Sequence, residues 1–150
     1  MIVENYKILL ADDDPDDCLF FKEALEELPV TSNLTTVHDG EQLMQYLNLL
    51  PSEVPDVLFL DINMPRKNGF ACLAEIKQNV DFNKLPIIVI STSYDQGIAD
   101  SIYKNGAYYY ICKPSDFTQL KNVIQKALKL VSQSNQLQPS KENFLISNLK

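Results

Sequence analysis

The chain has 150 residues, 45% of them apolar and 22% charged, with a formal net charge of −7. That length suits one domain able to bury about 70% of its unfolded surface without a disulfide or metal staple, and the composition is globular rather than disordered. The acidic balance argues against a general nucleic-acid surface, no apolar run reaches the ~18 residues of a membrane span, and residues 1–7 lack the basic-then-apolar pattern of a secretion signal. Cys18, Cys72 and Cys112 are widely spaced with no neighbouring His or Cys, so they read as reduced, buried thiols in a cytoplasmic protein. The negative charge is concentrated: of the six residues from Asp12 to Asp17, five are aspartates.

Taken in chain order, Tyr6–Ala11 reads as a short apolar strand ending at those aspartates. Asp14-Pro15-Asp16-Asp17 then supplies a helix start, with Asp14 as cap, Pro15 at the first helical position and two acids near the positive dipole end. Leu19, Phe20, Ala24, Leu25 and Leu28 follow at helical spacing up to Pro29. Leu34–Val37 is a weak second strand, Asp39-Gly40 a turn, and Glu41–Leu50 a helix with Leu43, Tyr46, Leu47 and Leu50 on one face. Asp56–Asp61 is nearly continuous apolar sequence, the pattern of a central parallel strand covered on both faces. After a loop over Met64–Gly69 come a helix (Phe70–Gln78), a β-branched strand (Pro86–Ser91) and a helix (Gln96–Lys104) closed by Asn105-Gly106. A strand (Tyr108–Ile111) and an amphipathic helix (Ser115–Ser132) complete the pattern.

This alternation is (βα)5: an α/β, doubly wound, five-stranded parallel sheet with helices on both faces and right-handed crossovers. In such open sheets ligands bind beyond the carboxyl ends of the strands. Asp12-Asp13, Asp61, Ser91-Thr92 and Lys113 all fall at or just after strand ends. Three carboxylates meeting there would repel one another and raise each other's pKa unless a cation joined them. Oxygen-only ligands favour a hard divalent ion, Mg2+ over zinc.

These residues resemble the receiver domain of two-component response regulators over about residues 6–130. The resemblance rests on Asp12-Asp13, Asp61, Ser91 and Lys113-Pro114 after successive strands, on the spacing from Asp61 to Ser91 and Lys113, and on Asp61-Ile62-Asn63-Met64-Pro65 followed by Asn68-Gly69. It implies a flavodoxin-like receiver fold, with Asp61 as the nucleophile phosphorylated by a phosphohistidine on a sensor histidine kinase or phosphotransfer protein. It further implies Mg2+ held by Asp13, the Asp61 carboxylate and the backbone carbonyl of Asn63, with Asp12 helping through water. Lys113 would pair with one phosphoryl oxygen, Ser91 would bond another, and Tyr110 would be the switch aromatic that turns inward as Ser91 moves. Pro114 resembles the family's cis-proline. The implied activity is self-directed phosphoryl transfer and dephosphorylation rather than turnover of an external substrate.

Beside these readings stand plainer ones. Asp14, Asp16 and Asp17 serve the helix start, His38 is a surface residue beside a turn, and Thr92 could share the role of Ser91. The three tyrosines 108–110 could be ordinary strand formers, with Tyr109 facing away from the other two. The interval from Asp13 to Asp61 exceeds that of compact receivers, which implies extended loops around the second strand or helix.

An aspartate-nucleophile phosphohydrolase of the haloacid dehalogenase type is disfavoured because Asn63 stands where its second acid is needed. A pseudo-receiver is disfavoured by the intact acids, Ser91 and Lys113. A nucleotide-binding domain is disfavoured because neither phosphate-binding glycine motif occurs. Residues 1–132 are expected to form the receiver domain and 133–150 a tail too short for an effector domain. Output would then pass to a downstream protein target, with no nucleic acid or membrane as partner. A homodimer could form through the fourth-helix, fifth-strand and fifth-helix face, with the Tyr109 face and Phe144-Leu145-Ile146 contributing. Receivers of this build are similar to those that partner phytochrome-type or other hybrid sensor kinases.

Overall fold

A computed structural model describes residues 5–49, 54–92, 94–133 and 137–146. Its strands are β1 (Asn5–Ala11), β2 (Thr31–Val37), β3 (Val57–Asp61), β4 (Ile87–Ser91), β5 (Tyr109–Cys112) and β6 (Leu145–Ile146). Its helices are α1 (Pro15–Glu26), α2 (Gly40–Leu49), α3 (Gly69–Gln78), α4 (Gln96–Lys104) and α5 (Phe117–Gln133). The strands form one parallel sheet in the order β2-β1-β3-β4-β5-β6.

The central strands β3 and β4 are buried at every position, which is why both read as unbroken apolar runs. Alternate side chains along the sheet feed two cores. Leu9, Leu58, Leu60 and Val89 pack with Leu43 and Leu47 of α2, Leu73 of α3 and Ile102 of α4. Leu10, Phe59 and Ile88 face the other way, onto Phe21 and Leu25 of α1 and Val123 and Ile124 of α5.

Helix starts lie at the carboxyl edge of the sheet and are capped by short polar side chains. Asp14 accepts from the N–H groups of Asp16 and Asp17, Asn68 from that of Ala71, and Asp95 from that of Ile98. Asp39 is a cap as well as a turn residue, accepting from Gln42 N–H at 2.8 Å. Gly106 ends α4 with φ +99, a conformation that costs glycine little and other residues more.

Several expectations need correction. The sheet has six strands rather than five, because Leu145 and Ile146 pair in parallel with Tyr110 and Ile111. Strand β2 begins at Thr31 and pairs with β1 along its whole length; it is an edge strand, mostly half-exposed, so its polar composition hid it. On α1 the buried positions are Cys18, Phe21, Ala24 and Leu25, whereas Leu19 is 55% exposed. Tyr108 precedes β5 and packs in the same core as Tyr109, so simple alternation misplaces it. The bond preceding Pro114 is trans. Tyr109, Phe144 and Ile146 are buried within their own chain, whereas Leu145 is 45% exposed. Leu50 lies outside the described residues.

Candidate phosphoacceptor site

The carboxyl edge gathers the acids at the ends of β1 and β3. Asp12, Asp13 and Asp61 each offer a carboxylate oxygen, all within 4.8 Å of one another. Asp12 and Asp61 are buried while Asp13 is exposed. Asp61 Oδ1 accepts the Asn63 N–H at 3.1 Å, and Asp12 Oδ1 accepts that of Asp14 at 3.0 Å. Gly69 lets the following helix start directly against the site: a Cβ there would lie 2.7 Å from the Asp61 carbonyl oxygen and 2.7 Å from Ile62 Cα. Burial pushes the Asp61 carboxyl up to about 6, with the charges of Asp12 and Asp13 adding to it and the Asn63 N–H and Lys113 opposing it. Oxygen donors sharing such a small space fit one hard divalent cation, which would relieve their mutual repulsion.

Lys113 follows β5 and its N–H donates to the Ser91 carbonyl at 2.7 Å, so the two side chains are held on neighbouring strand ends. Its ammonium lies 3.0 Å from Asp12 Oδ2 and 2.8 Å from Asp17 Oδ2. Burial opposes the charge of Lys113, but the bonds and fields of Asp17 and Asp12 outweigh it and raise its pKa. Asp17 is therefore part of the site and not only a helix-start acid. The available signal was its place in the first turn of α1, immediately beyond the Asp12-Asp13 turn.

Ser91 is 5% exposed at the end of β4, whereas Thr92 is exposed. Tyr110 is fully buried, and burial pushes its phenol pKa up, with the Ser91 side chain and the Asp95 backbone opposing the shift. The Tyr94 ring stacks on that of Tyr110 at 5.6 Å between centroids. His38 is exposed, with Nδ1 3.3 Å from the Asp12 carbonyl oxygen, and contributes no ligand to the acidic cluster. Cys18 and Cys72 are buried and free, and burial pushes both thiols up to about 11, which suits inert packing.

Residues 8–125 match the family model of the response regulator receiver domain. The chain belongs to this family. As a receiver domain it is a part of two-component signalling. Response regulator Rcp1 of Synechocystis is 30% identical over 122 residues, 79% of this receiver and 83% of Rcp1. Among solved structures, the phosphorylated cyanobacterial phytochrome response regulator RcpA superposes with a TM-score of 0.79 at 30% identity, covering 91% of this receiver and 100% of RcpA. The Mn2+-bound form of Rcp1 superposes with a TM-score of 0.75 at 27% identity, covering 90% and 99% of the two chains. Among the described residues of this receiver, no helix is long and apolar enough to cross a membrane.

Proposed function

We propose that this receiver accepts a phosphoryl group on Asp61 from a phosphohistidine of a sensor histidine kinase or phosphotransfer protein, and signals through a phosphorylation-dependent protein surface. The observation that carries this reading is the convergence of Asp12, Asp13 and Asp61 within 4.8 Å, beside a half-buried ammonium anchored by Asp12 and Asp17. An oxygen of the Asp61 carboxylate attacks phosphorus, a P–O bond forms, the P–N bond breaks, and its electron pair leaves with the imidazole. Mg2+, when held by Asp13, the Asp61 carboxylate and the Asn63 carbonyl with Asp12 acting through water, supplies positive charge for the phosphoryl oxygens. The Asn63 N–H fixes the nucleophile's orientation. Lys113 has three N–H donors; Asp12 and Asp17 take two, and the third serves a phosphoryl oxygen.

The Ser91 hydroxyl bonds a second phosphoryl oxygen, and Tyr110, paired with Val89 of the neighbouring strand, is the switch aromatic that passes that event to β5 and the helices beside it. The α4–β5–α5 face is the output surface in this reading, binding a downstream protein or a second copy of the chain in the cytoplasm. RcpA's description as a phytochrome response regulator favours a phytochrome-type kinase as the phosphodonor. The chain catalyses only its own phosphoryl transfer and dephosphorylation.

The test is incubation with acetyl phosphate and Mg2+. Base-labile, acid-stable label should appear on the wild type and be absent from Asp61→Asn; label persisting in that variant refutes the assignment.

A further inference from the structure

Between α1 and α5, beside the loop that carries Lys113, lies a cavity of about 260 Å³. Its floor is the sheet at Phe59 and Ile90, one wall is Phe20 and Phe21 of α1, and the other is Leu120 and Val123 of α5. All of these are buried except the half-buried Phe20. Phe21 meets Phe59 edge-on at 5.0 Å between centroids, so one end of the cavity is aromatic.

The rim is charged: Asp12, Asp17 and Lys113 also line the cavity. The Lys113 ammonium sits between the two carboxylates, 3.0 Å from Asp12 and 2.8 Å from Asp17, which leaves two negative charges against one positive. Asp12 is closed in, but the Asp17 side chain is 34% exposed. A carboxylate accepts up to about four hydrogen bonds, so Asp17 can serve Lys113 and a second cation together. The acids Asp13 and Asp61, within 4.8 Å of Asp12, deepen the negative field at this end.

Size and lining restrict what fits. An apolar cavity of ~150 Å³ stays dry and takes up benzene, because a buried water needs two to four polar partners, and phenyl and aliphatic walls offer it none. A cavity of about 260 Å³ has room for a phenyl ring and a short chain, but not for a partner's helix about 10 Å across. Phenyl walls favour an aromatic guest through edge-on and offset contacts. The rim attracts a cationic head group and repels an anionic one.

We propose that this cavity binds a small arylalkylammonium ion, with its ring among Phe20, Phe21 and Phe59 and its ammonium on Asp17. Neither the cavity nor its charge depends on phosphorylation of Asp61. One consequence does rest on the phosphoacceptor reading: an occupant shares Asp17 with Lys113, and so acts on the ammonium that reading assigns to the phosphoryl group.

The experiment titrates the full chain, in EDTA, with 2-phenylethylammonium, 3-phenylpropionate and ethylbenzene, and follows the methyl NMR signals of Leu120, Val123 and Ile124, all cavity-lining residues. 2-Phenylethylammonium should shift these signals with a Kd of about 1 mM or below, in keeping with its size. It should bind about tenfold more tightly than 3-phenylpropionate, the gain of one charge-assisted hydrogen bond. Asp17→Asn should weaken the ammonium probe about tenfold and leave ethylbenzene within about twofold of the wild type; a general loss of the cavity would move both. Val123→Phe, which fills the cavity, should abolish binding of all three probes. Should that variant fail to fold, Asp17→Asn decides, because its side chain lies at the half-exposed rim. Methyl signals unmoved by about 10 mM 2-phenylethylammonium, some tenfold above the expected Kd, overturn the site. Equal or tighter binding of 3-phenylpropionate, or an undiminished ammonium affinity in Asp17→Asn or in folded Val123→Phe, overturns it as well.

Discussion

Asp61→Asn removes one of three carboxylates crowded at the sheet edge while keeping the side chain's size and its ability to accept the Asn63 N–H. In metal-free protein, burial and the neighbouring charges of Asp12 and Asp13 raise the Asp61 pKa from 3.8 to about 6. The folded state therefore holds this proton more tightly than the unfolded state. The contribution is fully favourable below pH ~4, is lost as pH rises through about 6, and leaves the folded protein carrying the whole penalty at neutral pH. A shift of that size corresponds to at most about 3 kcal/mol, and screening by solvent at the open side of the site reduces the expectation to about 1–2 kcal/mol. Asp61→Asn should accordingly be more stable than the wild type by that amount in EDTA at pH 7.5. The difference should shrink to about a third of this by pH 4.5, where the folded-state carboxyl is protonated. Urea unfolding curves at the two pH values measure it. Saturating Mg2+ should stabilise the wild type more than the variant and narrow the gap. An Asn variant no more stable than the wild type at pH 7.5 in EDTA, or a gap independent of pH, refutes this account of the site.

Two further predictions concern groups away from the acids. Lys77 donates to the carbonyls of Leu85 at 3.0 Å and Asn83 at 3.3 Å, and burial lowers its pKa to about 8. Between pH 8 and about 10 the unfolded chain holds this proton and the folded chain does not, so stability gains a rising component with pH. Lys77→Met should lack it, and parallel pH profiles of the urea midpoint for the two proteins would exclude it. Arg66 is the one non-glycine residue with positive φ, at 66°, among the described residues. Its contact with Asp39 at 3.3 Å is made by a largely exposed side chain. Asn tolerates the left-handed region better than Arg and the exposed ion pair is worth little, so Arg66→Asn should raise stability by about 0.5 kcal/mol. A lower thermal midpoint would refute this.

What was legible in the sequence is local. Asp14-Pro15 announces a capped helix because a side-chain oxygen and a proline ring act within one turn of their own position. Strands β3 and β4 announce themselves because burial on both faces demands apolar residues throughout. The order Asp12-Asp13, Asp61, Ser91, Lys113 becomes informative once the parallel topology places successive strand ends on one edge. What the tertiary structure decided involves partners far apart in the chain. Lys113 reaches back 96 residues to Asp17, and either residue alone reads as an ordinary surface charge. Phe21, not Leu19, faces the core, because α1 is laid on the sheet so that the Phe21 ring meets Phe59 of β3. The two residues of β6 have no periodicity to detect; they form a strand only because β5 offers them an open edge and Phe144 has a site between Tyr103 and Tyr110. Propensity, capping and burial pattern are properties of neighbouring residues and can be read along the chain. The pairing of a short segment or a single charge is set by which surfaces the finished sheet leaves open, and that is known only after the chain has folded.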